Sequence, residues 1–115
     1  MPDLEGSYRV RFSCPYLAGE VELNEEREKH IGERHPELAP QFRDRIRVTL
    51  AEPHEVRRSA RSAHARLFSR WFDDIMGGKY VVVVVVSEVM ARRHWVITAY
   101  LVSKLGQGDV EWTRS

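Results

Sequence analysis

The chain has a single cysteine, no apolar run long enough to cross a bilayer, and no lysine between residues 38 and 72. Each absence removes a class of protein. Cys14 has no second thiol with which to form an internal disulfide, and its neighbours Ser13 and Pro15 read as a turn around a small filler. Spanning a membrane takes about 18 to 20 apolar residues, and the run Val81 to Val86 is closed by Ser87 and Glu88. The opening MPDLEGSYRV lacks the basic then apolar order of a secretory signal, so the expectation is a cytoplasmic location with no membrane partner. There is no G-x-S-x-G sequence, and nothing in the chain pairs with Cys14 as a catalytic base would. His30 and His35 are five residues apart rather than four, and no cysteine pair or acidic run accompanies them, so neither a metal nor a cofactor is expected. Apart from the valines there is no repeat or biased segment.

What is present is enough for one domain over residues 1–115. With 43% hydrophobic residues the chain can bury a core, and its length leaves no room for a second domain. The segment from Lys79 to Lys104, KYVVVVVVSEVMARRHWVITAYLVSK, reads as a β-hairpin. Six β-branched residues without polar alternation imply a strand covered on both faces, in the middle of a sheet. In the return strand, strict alternation would put Trp95, Ile97, Ala99 and Leu101 on one face and Val96, Thr98, Tyr100 and Val102 on the other, with Lys104 extending the hydroxyl-bearing side. That hydroxyl face is the expected floor of any chemical site.

Ahead of the hairpin, Ser7 to Phe12 alternates like a short strand near a sheet edge, and Glu20 to Leu23 reads as a brief second strand. Asn24 followed by Glu25 and Glu26 predicts a capped helix to about Arg34, ended by Pro36. A second helix is expected from near Pro40 to before Pro53, with Phe42, Ile46, Thr49 and Leu50 as its buried stripe. Strand-like segments follow at 54–59 and 65–72, and a last one carries Val110 and Trp112. The expected fold is α+β: an N-terminal strand and two helices packed on one face of a curved antiparallel sheet of about four to five strands.

Net charge is +1, but it is unevenly spread. Residues 1–37 carry nine acids against five bases, whereas residues 38–72 carry eight arginines against three acids. Arginine forks suit phosphate and base stacking, so the eight arginines Arg43, Arg45, Arg47, Arg57, Arg58, Arg61, Arg66 and Arg70 form a candidate RNA-binding patch, with a solvated, ion-paired surface as the alternative. Histidine is the other informative type. His30 and Arg34 are one helical turn apart and project from the same flank, while His35 stands beside Pro36 where it either caps the helix or contributes to a site.

The sequence HIGERHPEL, then an amphipathic helix ending IRVTLAEPHEV, a valine strand, ITAYLVSK and a terminal GDVEW together resemble the small phage and bacterial domains grouped with barnase, EndoU, colicin-type and RelE-like ribonucleases. The resemblance runs from about Val21 to Trp112. It implies a metal-independent RNA-cleaving site on an exposed sheet face, a toxin or phage-associated role, RNA as ligand and a neutralising antitoxin-like partner. The matching polar positions are His30, Arg34 or His35, one of Arg57 and Arg58, Thr98 and Tyr100, with Lys104 on the same side. Such cleavage needs a base for the 2′-hydroxyl, a cation for the phosphate and a donor for the leaving oxygen, which histidine, arginine and a hydroxyl supply. The alternative on the same fold is a nucleic-acid- or protein-binding module without catalysis.

Overall fold

A computed structural model describes residues 9–38 and 41–114. The order is β1 (Arg9–Cys14), β2 (Gly19–Asn24), α1 (Glu25–Arg34), α2 (Phe42–Ala51), β3 (Glu55–Arg58), β4 (Ala65–Phe72), β5 (Lys79–Glu88), β6 (Arg93–Val102) and β7 (Asp109–Thr113), with short 3-10 turns at Pro15–Leu17 and Pro36–Leu38. Ser7, Tyr8 and Pro40, expected to open the first strand and the second helix, lie outside the described residues.

The class is α+β, but the sheet is larger than expected and is not purely antiparallel. Seven strands lie in the order β1-β2-β6-β5-β4-β3-β7, and β2 pairs parallel to β6 through Glu22 and Trp95. The expected count of four to five fails because short, half-polar segments such as 19–24 and 109–113 also join the sheet as full members. The valine strand β5 is fourth of the seven and runs antiparallel to both neighbours, with Val81 opposite Leu101 and Val83 opposite Ala99. Val81, Val83 and Val85 are buried on the side of α2, together with Phe68, Val96, Ala99, Ile46 and Leu50. No helix among the described residues is long and apolar enough to cross a membrane.

The helices follow their sequence signals. Asn24 Oδ1 accepts from the Arg27 amide at 2.8 Å, with Glu25, Glu26 and Glu28 in the first turn where the helix dipole favours acids. Because β2 turns into α1 at Asn24, close to the level of Ile97, the rest of β6 has no strand beside it on that edge. The helix takes that place, and Arg27 Nη1 donates to the Ile97 carbonyl at 3.4 Å. On α2, Ile46, Thr49 and Leu50 are buried as the stripe requires. Its arginines are engaged in ion pairs: Arg43 with Glu28, Arg45 with Asp74 and Arg47 with Asp44.

The last connection shapes the other face of the sheet. β6 and β7 are four strand spacings apart, about 19 Å at about 4.8 Å each. Only residues 103–108 join them, and seven Cα steps reach about 25 Å when extended. The link therefore runs as a nearly taut strap over the face opposite α2. Arg57 fixes it there: this side chain, 3% exposed, donates from Nη1 to the carbonyls of Gly106 and Gln107 and has Nε 3.4 Å from the Glu55 carboxylate, too poorly aligned for a hydrogen bond. Beneath and beside the strap, Val82 and Ser69 are buried although they face away from the helices.

The strap re-enters the sheet at Gly108, whose φ is +135°, and a Cβ there would sit 2.7 Å from the Arg58 carbonyl oxygen. Gly108→Ala is expected to destabilise the fold by about 2 kcal/mol or more. Gly32, inside α1, has open space where a methyl group would go, with nothing within 4 Å. It should behave oppositely, Gly32→Ala adding about 0.5 to 1 kcal/mol. Urea unfolding of the two variants checks both signs.

Candidate functional site

Strict alternation along β6 does not survive. Val84 faces Thr98 but Val85 faces Val96, so Ile97 is an extra residue, a β-bulge. The bulge brings Val96 into register with Ala99 in the core and puts Trp95 with Thr98, Tyr100 and Val102 on the open face. The expected grouping of Val96 with the hydroxyls and of Trp95 with Ala99 is thereby corrected, while Thr98 and Tyr100 remain together on the exposed floor.

This floor carries a cleft of about 650 Å³, lined by Leu67, Val84, Ile97, Tyr100, Arg61 and the strap residue Gln107, with Ser59, Ala60, Ser62 and Ala65 completing it. Its size lies in the range of ligand sites. Tyr100 forms one boundary of it. His35, which is not among the residues lining the cleft, has its ring 6.0 Å from that of Tyr100, centroid to centroid, brought to the β6 edge because α1 ends there and Pro36 turns the chain. The His35 backbone N–H closes the helix on the Ile31 carbonyl at 2.8 Å, and its Nδ1 is 3.2 Å from a Glu37 carboxylate oxygen. The side chain is thus oriented by a carboxylate, with Nε2 left uncommitted by this contact.

The other expected site residues separate. The side chains of His30 and Arg34 are exposed on α1 and make no hydrogen bond to another described residue. Lys104 is exposed in the strap. Arg57 is buried and committed to the strap. Arg58 is on the opposite face, because adjacent strand residues point to opposite sides; it binds Glu111 through Nε at 2.6 Å and also donates to the Ala63 carbonyl. Both are thus engaged by groups of the fold, and neither lines this cleft. The cation that does line it is Arg61.

Sequence reasoning missed a second polar constellation, on the α2 side of the sheet beyond the helices. In β7, Val56 pairs with Trp112 and Arg57 with Val110, leaving Glu111 as a bulge residue aimed at this side. Its carboxylate accepts from Tyr16 Oη at 3.0 Å, Arg66 Nε at 2.8 Å and Arg58 Nε at 2.6 Å. Burial pushes the Glu111 carboxyl up, but the Arg66, Tyr16 and Arg58 bonds outweigh it and hold it below its usual value. Tyr16 is raised by burial and by donating to Glu111. The arginine-rich stretch was the available signal; the bulge that supplies their acid has no sequence mark. Among the described residues no three His, Cys, Asp or Glu side chains group as metal ligands.

Comparison with protein-family models, curated proteins and solved structures returned no match.

The Glu111 hub predicts an acid limb. A carboxyl with a lowered folded-state pKa contributes stability that is complete above the ordinary value of about 4.5 and is lost as pH falls through the folded value. Glu111→Gln should lower unfolding free energy by about 2 kcal/mol at pH 7, and the gap to wild type should narrow below pH 4.5. Urea titrations at neutral and acid pH test this; a gap independent of pH contradicts it.

Proposed function

We propose that the chain is a metal-independent ribonuclease-like domain that holds single-stranded RNA on the open face of the sheet and cleaves it by attack of the 2′-hydroxyl. The observation that carries this reading is the meeting of His35 and Tyr100, 65 residues apart in sequence, beside the cleft on the open face of the sheet. The resemblance of HIGERHPEL and ITAYLVSK to the barnase, EndoU, colicin-type and RelE-like group supports it independently.

In this reading an unstacked base lies on the apolar floor of Leu67, Val84 and Ile97, and Arg61 meets the phosphate. His35, oriented by Glu37, takes the 2′-hydroxyl proton, and the 2′-oxygen bonds to phosphorus. The 5′-oxygen leaves with a proton from the Tyr100 hydroxyl, while Thr98 donates to a non-bridging oxygen. The products are a 2′,3′-cyclic phosphate and a free 5′-hydroxyl, and the proton on His35 returns to Tyr100 through solvent. Only RNA supplies the internal nucleophile, so DNA is spared. His30, Arg34 and Lys104 have no role in the step. A toxin or phage-associated setting, with an antitoxin-like protein covering the cleft, follows from the resemblance alone.

His35→Ala and Tyr100→Phe should each reduce cleavage by about 10² to 10⁴. Melting temperature should change little, since Tyr100→Phe keeps the ring and His35 lies at the surface of a helix end. Cleavage should persist in EDTA and should stop when a 2′-deoxy nucleotide replaces the one at the scissile position. If the purified protein binds RNA but cuts none, including transfer and ribosome-bound RNA, the domain is a binding module; if both variants cleave as wild type, this site is wrong.

A further inference from the structure

The α2 side of the sheet has a second concavity that the ribonuclease reading leaves unused. It lies where β5 and β6 run out towards their turn. There Ser87 and His94 stand directly opposite each other, and Ser87 Oγ is 2.7 Å from His94 Nδ1. The imidazole is thus fixed, with Nε2 available to a ligand. Arg66 enters from β4, held through Nε by Glu111, and its terminal nitrogens make no hydrogen bond to a described residue. The pocket measures about 430 Å³ and is completed by Leu17, Gly19, Glu20, Val89 and Arg92 with Ala18.

Backbone strain gathers at the same place. Among the described residues three that are not glycine have positive φ, and two of them, Ala18 at +56° and Arg92 at +52°, line this pocket. Both close tight turns that frame the pocket, Ala18 capping the 3-10 turn with its N–H on the Pro15 carbonyl and Arg92 ending the β5–β6 turn with its N–H on the Val89 carbonyl. The lining is also divided by chemistry. Arg66, Arg92 and His94 carry the kind of donor groups that suit a phosphate, and Leu17 with Val89 is apolar.

We propose that this pocket binds a nucleotide bearing a phosphate monoester, with the phosphate between Arg66, Arg92 and His94 and the base against Leu17 and Val89. The ligand is either a free mononucleotide or the phosphorylated end of an RNA strand; the recognising chemistry is the same. Burial, and then the charge of Arg66, keep the His94 ring below its usual pKa in the free protein. The charged groups lining its pocket are Arg66, Arg92 and Glu20. A phosphate dianion added among them favours the imidazolium, so binding takes up a proton and raises the titration point of His94.

The test is a titration of the intact protein, followed by amide and histidine-ring NMR, with adenosine 5′-monophosphate, adenosine, inorganic phosphate, and one oligoribonucleotide with and without a 5′-phosphate. The monophosphate should saturate at millimolar concentration or below, shift the Ser87 and His94 signals and move the His94 titration upward. Arg92→Gly, which also removes the left-handed strain, and Arg66→Gln should each weaken binding by about tenfold or more. Tighter binding of the phosphorylated oligonucleotide than of the monophosphate assigns the ligand to an RNA end, and the reverse assigns it to a free nucleotide. Adenosine binding as well as its monophosphate overturns the proposal. So does inorganic phosphate binding as tightly as the monophosphate, undiminished binding in both variants, or no saturation at all. The readout is occupancy of this pocket, so it stands whether or not the open face cleaves RNA.

Discussion

Six residues must carry the chain from the third strand position of the sheet to the seventh, and that crossing governs what each face can do. With α2 on one side, the strap has to take the other, and it can do so only nearly extended. A taut segment has few backbone partners of its own, so the carbonyls of Gly106 and Gln107 are satisfied by the buried guanidinium of Arg57. Removing that group would leave those carbonyls and the Glu55 carboxylate without their cation, which is the expensive way to disturb a buried charge. The open-face cleft is the part of the floor that the strap leaves uncovered. Its boundary at Gln107 is set by the strap, where the Gln107 carbonyl accepts from Arg57.

Two bulges then decide which side chains meet. Ile97 re-phases β6 so that Trp95 joins Thr98 and Tyr100 on the floor, and its carbonyl is met by Arg27 of α1. Since α1 occupies the edge β2 has vacated, its last turn arrives beside Tyr100 carrying His35. Glu111 does the same in β7, placing an acid between Tyr16, Arg58 and Arg66 on the opposite face. Much of the arginine-rich section thus spends its charge inside the fold. A +5 stretch in sequence becomes ion pairs with Glu28, Asp44, Asp74 and Glu111, and few guanidinium groups remain for an RNA backbone.

What could be read from the sequence was local. Six valines announced a strand in the middle of the sheet, although Val84 and Val86 are only half-buried on the open face; Asn24 with its following acids announced a capped helix, and Pro36 its end. The partner of the valine strand was legible too, because hairpin neighbours pair through a short turn. The parallel alignment of β2 beside β6 and the migration of β7 to the far edge were not, since alternation says which face a residue takes and nothing of which strand lies beside it. The same limit explains the site. Thr98 and Tyr100 were placed correctly relative to each other, but a single bulge exchanged Val96 and Trp95. Arg57 looked like a surface arginine until the strap passed over it.

In the proposed reading the open face, between the strap and the 59–62 loop, is where this domain meets RNA. Amide shift mapping with a short single-stranded oligoribonucleotide, 2′-O-methylated throughout so that it cannot be cleaved, tests that placement directly. Saturable shifts are expected at Leu67, Ile97, Thr98, Tyr100 and Gln107, with the exposed side of α2 unmoved. Shifts centred on Arg43 and Arg47 of α2 instead, or no saturable shift anywhere on the open face, would contradict it.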